Sequence, residues 1–251
     1  MKKALDPQLQ DEQAGFWQNR SCLDQIATLH IIAIVGVEFF ALHHFWIMRR
    51  HLTAWTERHS GKLLCHYGVP TKLVNMIKNT YNGMTCRVIH TGQHTDSFQV
   101  RTGVRQGCLL SPFLFLLTID WIMKTSTKGR INVIQGTLWS QLEDLDFADD
   151  IALLSHNQQQ MQDKTDILAA TSAQVGLNIH KDKTKILKIN YGSNNPVTLH
   201  GSPLEEVESF TYLGSIINKQ GGTDADVKAR IGKARAAFIQ LKNIWNSKEI
   251  S

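Results

Sequence analysis

The chain has 251 residues, 42% of them hydrophobic, and a net charge of +5 with a pI near 9.0. That length and hydrophobic content allow one large domain or two small ones, and the basic excess suits a phosphate-backbone partner without requiring one. Cys22, Cys65, Cys86 and Cys108 form no C-x-x-C pair, so neither a structural zinc site nor a disulfide framework is supported, and a reducing intracellular compartment fits best.

Residues 26–48 are apolar for about the length of a membrane span. They contain His30, Glu38, His43 and His44 and lack the charged flank and cleavage site of a signal peptide. The expectation is a buried helix followed by the approach to a strand, with no membrane partner. Residues 71–81 read as a helix, and 86–90 with 96–100 as a hairpin. A Gly-containing loop at 102–107 then runs into an apolar helix with Pro112 in its first turn. A strand-turn-strand is expected over 145–154, and a helix over 161–175 with Ile167, Leu168 and Val175 at helical spacing. Gly176 and a lysine cluster (Lys181, Lys183, Lys185, Lys188) lead into a strand at 186–189, and residues 209–217 form an aromatic, β-rich run. A last helix, 224–245, carries Lys228, Arg230, Lys233 and Arg235; both basic clusters read equally well as solvated faces. Glycine and proline place loops at 68–70, 191–196, 201–203 and 221–222. This order of elements suits an α+β fold, an antiparallel sheet with helices packed on one face.

Asp149 and Asp150 sit inside the apolar run Leu145-Asp146-Phe147-Ala148-Asp149-Asp150-Ile151-Ala152-Leu153-Leu154. An Asp pair is commonly only a polar turn. Adjacent carboxylates flanked by apolar residues repel and lose hydration, however, and a divalent cation with oxygen ligands relieves both costs.

Together with Gln106-Gly107 and Ser111-Pro112 upstream, and the lysine segment and Phe210-Thr211-Tyr212-Leu213-Gly214 downstream, Phe147-Ala148-Asp149-Asp150 resembles the palm of a non-LTR (LINE-type) retrotransposon reverse transcriptase. Gln13 to Gln25 is similar to that family's fingers-to-palm helix, with Trp17 where relatives usually carry a basic residue. The resemblance implies a polymerase palm with partial fingers and the start of a thumb, and RNA-directed DNA synthesis on an RNA template and DNA primer from deoxynucleoside triphosphates. It implies Mg²⁺ or Mn²⁺ held by Asp149 and Asp150, with Lys183 near the departing pyrophosphate. It further implies nucleotide and template contacts from Arg105, Gln106, Gly107, Ser111, Pro112, Phe147 and Ala148, and primer contacts from Phe210, Tyr212, Leu213 and Gly214, although Phe210 and Tyr212 read just as readily as core residues. The expected divisions are 1–45 for fingers and connecting helix, 46–61 for an aberrant tract, 62–190 for the palm, 191–222 for the primer-grip region and 223–251 for a truncated thumb start. No endonuclease, RNase H-like or zinc-knuckle segment is expected within the chain.

The family's first metal aspartate, expected between Gln25 and Tyr67, is missing: no aspartate occurs from Gln25 to Thr95. Glu38 could substitute but lies before the expected position. Residues 46–61 instead crowd Trp, Arg and His without periodicity. Trp is encoded only by TGG and Met only by ATG, which constrains the underlying bases. Joining the last base of each codon to the first two of the next makes Trp46-Ile47 read GAT, an Asp. Permitted codon choices from Phe45 to Gly61 then read LDYEKAFDSVDRETLW, the missing motif. The tract therefore reads as out-of-frame translation, with a genuine lineage-specific insertion as the alternative. Two functional classes follow: a reverse transcriptase fragment with little activity as written, or a non-catalytic nucleic-acid binder.

Overall fold

The computed structural model describes residues 8–10, 12–15, 20–35, 39–45, 59–99, 108–127, 134–137, 140–189 and 195–245. Helix α1 (Cys22–Val35) starts after Ser21, whose hydroxyl accepts the Leu23 N–H at 3.0 Å. Strand β1 (Phe39–Phe45) follows. Helices α2 (His59–His66) and α3 (Thr71–Tyr81) are separated by Gly68-Val69-Pro70, and α3 buries Val74, Ile77 and Tyr81 at three- and four-residue spacing. Two short ladders come next: β2 (Thr85–Cys86) with β5 (Phe98–Gln99), enclosing β3 (Ile89–His90) with β4 (Gln93–His94).

Helix α4 (Ser111–Thr127) buries Leu114 through Ile119 without interruption, the pattern of a helix packed on more than one side. After β6 (Ile134–Thr137) and β7 (Ser140–Leu142) come β8 (Asp144–Phe147) and β9 (Asp150–Ser155), joined by the Ala148-Asp149 turn. Helix α5 (Gln158–Gln174) begins three residues earlier than expected, because the Asn157 side chain caps it by accepting the Gln160 N–H at 2.9 Å. The remainder is a 3₁₀ turn at Lys181–Lys183, β10 (Lys185–Ile189), β11 (Thr198–Leu199), β12 (Ser202–Pro203), β13 (Glu205–Glu206), β14 (Ser209–Tyr212), β15 (Ser215–Asn218) and α6 (Asp224–Trp245).

The central sheet has the order β13-β10-β1-β9-β8, with every pairing antiparallel except β10 with β13. Side-chain alternation along its strands separates two cores. Ile151, Leu153 and Ile186 face a core built with α2, α3, α4 and α5. Ala152, Leu154, Leu187 and Ile189 face the opposite side, against α1 and the β14–β15 hairpin. The fold is the expected α+β palm arrangement with two differences: β13 joins the otherwise antiparallel sheet in parallel, and helices cover both faces of the sheet rather than one. The apolar run at 26–48 resolves into α1 and β1, and among the described residues no helix is long and apolar enough to cross a membrane.

Candidate catalytic hairpin

The β8–β9 hairpin carries the paired aspartates at its tip. Phe147 is in register with Asp150, leaving Ala148 and Asp149 as the two turn residues. Ala148 has φ +58°, an uncommon conformation for a residue with a Cβ. Among hairpins whose two turn residues are described, three others have Thr91-Gly92, His200-Gly201 and Leu213-Gly214, each with positive φ at both positions and Gly second. The acidic turn contains no glycine.

Asp149 and Asp150 are half-buried. Loss of hydration pushes the Asp150 carboxyl up to about 6, and the neighbouring Asp149 charge adds to it. Desolvation also raises Asp149, opposed by a backbone hydrogen bond and by the positive charge of Lys183. Lys183 occupies the exposed 3₁₀ turn before β10. Of its neighbours in the lysine cluster, Lys185 pairs with Glu205, and the buried Lys188 pairs with Glu206 at 2.7 Å. Those two cations are therefore offset by β13 carboxylates. A recess of about 510 Å³ lies beside the cluster, lined by Asp182, Lys183, Lys185, Val207, Ser209, Phe210 and Thr211.

Strand β1 lies between β9 and β10, with Phe45 in register with Asp150. The end of β1 thus comes beside the acidic hairpin, where the next residue along the chain is Trp46. Residues 46–58 lie outside the described residues, as do Arg105, Gln106 and Gly107. Two carboxylates offer hard oxygen donors that fit Mg²⁺ or Mn²⁺. Among the described residues, no group of three or more His, Cys, Asp or Glu could hold a metal ion, so the described donor set is a partial one.

The other expected contact residues divide by exposure. Ser111 is buried at the start of α4, its hydroxyl 3.4 Å from that of Tyr81, whereas Pro112 is exposed. Phe147 is half-buried and Ala148 buried. Phe210 and Tyr212 belong to the core under the sheet, and Tyr212 is fully buried with its hydroxyl donating to Gln25 Oε1 at 3.0 Å and to the Leu145 carbonyl at 3.1 Å. These rings pack inside the protein, and of the Leu213-Gly214 turn that closes the hairpin Gly214 is exposed while Leu213 packs against the same core. The reason is alternation: residues 210 and 212 share the inward face of β14, so what reads as an aromatic contact surface is a core stripe.

A second acidic pair, which the sequence reading passed over, lies just behind the turn. Asp144 and Asp146 project from the same face of β8 and are 2% and 0% exposed. Desolvation raises both carboxyls well above the ordinary carboxylate range. The two carboxyls sit close enough to raise one another's cost of ionisation, and the Lys164 ammonium partly offsets the rise at Asp144. Lys164 is itself buried, donating to the Leu154 carbonyl at 2.7 Å. The signal was present in the sequence: two Asp at i and i+2 inside an apolar strand must face the same way.

The model of the reverse transcriptase (RNA-dependent DNA polymerase) family matches residues 1–217. The chain is 31% identical over 149 residues to the Pol polyprotein of the type-2 retrotransposable element R2DM of Drosophila melanogaster, covering 59% of this chain and 13% of that protein. It is 24% identical over 165 residues to the Pol polyprotein of a type-1 retrotransposable element R2 of Popillia japonica, covering 62% and 27%. The chain thus spans well under half the length of these relatives. Among solved structures, apo telomerase of Candida tropicalis, truncated from its C-terminal domain, superposes with a TM-score of 0.56 at 14% identity over 83% of this chain and 40% of that one. Telomerase of Candida albicans in complex with a fragment of telomeric RNA gives 0.53 at 13% identity, over 83% and 35%. At such identities the superpositions speak to the fold alone. With the family match spanning most of the chain and the acidic hairpin on a palm-like sheet, this chain belongs to the reverse transcriptase family.

Proposed function

We propose that the chain is the palm-centred part of a non-LTR retrotransposon reverse transcriptase, built for RNA-directed DNA synthesis but lacking, as written, one carboxylate of its metal site. Asp149 and Asp150 would hold Mg²⁺ or Mn²⁺. A bound divalent cation supplies acidity to the primer 3′-hydroxyl and neutralises triphosphate charge. Lys183 places a further positive charge beside Asp149, on the side where pyrophosphate would leave. Pro112, Phe147 and Ala148 would line the nucleotide and template side, together with Arg105, Gln106, Gly107 and the Ser111 end of α4. The Leu213-Gly214 turn would meet the primer.

The observation that carries this reading is the pairing of Phe45 with Asp150. The alternative-frame codon across Trp46 and Ile47, which must be Asp, falls immediately beyond the strand position that lies beside the acidic pair. A coding accident at that point removes the carboxylate needed to complete the site and leaves the sheet intact. Poor neutralisation of the transition-state charge then lowers the rate by orders of magnitude.

Primer extension on a primed RNA template with Mg²⁺ and deoxynucleotides tests the proposal. The chain as written should incorporate almost nothing. Replacing residues 46–61 with LDYEKAFDSVDRETLW should produce extension that Asp149→Ala abolishes. Ready extension by the unaltered chain would refute the missing-ligand reading, and genomic and transcript sequence with no trace of the motif in any frame would refute the frameshift. A second reading, a non-catalytic nucleic-acid binder, draws support from the exposed Lys228, Lys233 and Arg235 along α6. It requires primer-template binding that weakens steeply with salt.

A further inference from the structure

We infer that Gln13 is a positioning residue for the Asp149–Asp150 pair, its side-chain oxygen setting the turn from which both carboxylates project. This rests on the metal-site reading above.

Gln13 is fully buried, and its segment runs alongside the catalytic hairpin as an added piece of parallel strand. The Ala14 N–H donates to the Asp146 carbonyl at 2.8 Å, and the Asp146 N–H donates to the Glu12 carbonyl at 3.3 Å. Gln13 Oε1 then accepts two backbone N–H groups at once, that of Gly15 at 2.7 Å and that of Ala148 at 2.9 Å. The second bond is unusual in its target. It holds the amide of the residue at φ +58°, in a turn that lacks the glycine found in each of the other hairpin turns whose two residues are described. Left-handed backbone is strained at a residue with a Cβ, so an outside acceptor for that N–H favours the strained conformer over relaxed alternatives. Asp149 and Asp150 follow directly, and their direction depends on the Ala148 dihedral angles.

Close approach is built in. A Cβ at residue 15 would fall 2.3 Å from the Ala148 nitrogen, so Gly15 is what lets the segment reach the turn. A second buried glutamine braces the same strand from α1. Gln25 Nε2 donates to the Glu12 carbonyl at 2.8 Å and to the Asp146 carbonyl at 2.5 Å, while its Oε1 receives the Tyr212 hydroxyl. Gln25 and Tyr212 hold the strand; Gln13 alone of the three contacts the turn.

The test combines amide hydrogen exchange, read residue by residue by NMR, with Mn²⁺ titration followed by electron paramagnetic resonance, assigned by its loss in Asp149→Ala. Gln13→Met, similar in shape but without the oxygen, should speed exchange at the Ala148 amide about tenfold or more, leave α4 and α5 protected, and weaken Mn²⁺ binding several-fold. Gln13→Glu, which keeps an acceptor oxygen, should restore protection at Ala148. Unchanged Ala148 exchange in folded Gln13→Met would overturn the inference. If Gln13→Met does not fold, Gly15→Ala carries the test: wild-type protection of Ala148 in that variant overturns the inference, and loss of protection supports it. Absence of Mn²⁺ binding in the wild type, with Ala148 protected only when residue 13 supplies an acceptor, would sink the metal-site reading while leaving the positioning role standing.

Discussion

The buried acid pair behind the turn makes the pH dependence of stability calculable. Asp144 has an ordinary value of 3.8 and is pushed up to about 7 in the fold, chiefly by loss of hydration and then by the charge of Glu12. A raised carboxyl means that the native state binds the proton more tightly than the unfolded chain does. Its contribution is favourable at low pH and is lost as pH climbs from about 4 to about 7. Three units at 1.36 kcal/mol each come to about 4 kcal/mol, a large fraction of a typical domain's stability. At 2% exposure, solvent screening takes little from that figure. Asp144→Asn removes this titration while keeping a polar side chain of the same shape. In urea unfolding at a series of pH values from 4 to 8, the variant should gain on the wild type steadily, by about 4 kcal/mol between the two ends. Parallel curves would refute the reasoning, because they would mean that Lys164 compensates the Asp144 charge in full.

Other consequences concern single contacts. Tyr67 donates its hydroxyl to the buried Asp120 carboxylate, which also accepts the Gln10 N–H at 2.6 Å and pairs with Lys124 at 2.9 Å; Tyr67→Phe should cost about 2 kcal/mol in urea unfolding. Thr91→Asn should stabilise by about 0.5–1 kcal/mol, read as a higher melting temperature, since Asn tolerates the φ of +49° that the exposed, β-branched Thr91 adopts before Gly92. Glu206→Gln leaves the Lys188 ammonium, 5% exposed, without its carboxylate and should destabilise by about 1–2 kcal/mol, less than for a fully buried pair because Glu206 is 46% exposed, whereas the apolar Lys188→Met should be nearly neutral. Equal losses from those two variants in a melting experiment would contradict this account of the buried ammonium.

Local elements were legible in the sequence wherever period and punctuation agreed. Pro70 and the 74-77-81 spacing bound α3 at the expected residues, and α6 likewise spans 224–245. The start of α5 was misplaced because Asn157, three residues before Gln160, is a capping signal rather than a periodic one. The acidic turn was legible too, since two carboxylates amid apolar strand residues have few inexpensive uses. The roles of Phe210 and Tyr212 were not, because an aromatic stripe has the same composition whether it packs against α1 or faces a primer.

Sequence alone pointed to the family and to the strand-turn-strand with its carboxylate pair, because motif spacing is a property of a linear string. Tertiary structure alone decided that β1 lies between β9 and β10 with Phe45 beside Asp150, that helices cover both faces of the sheet, and that Gln13 and Gln25 serve the hairpin. Those facts depend on contacts between residues more than a hundred positions apart. Nothing in the local chemistry of a glutamine tells which distant backbone amide its oxygen will meet. That is settled only when the core closes and a buried N–H must find an acceptor.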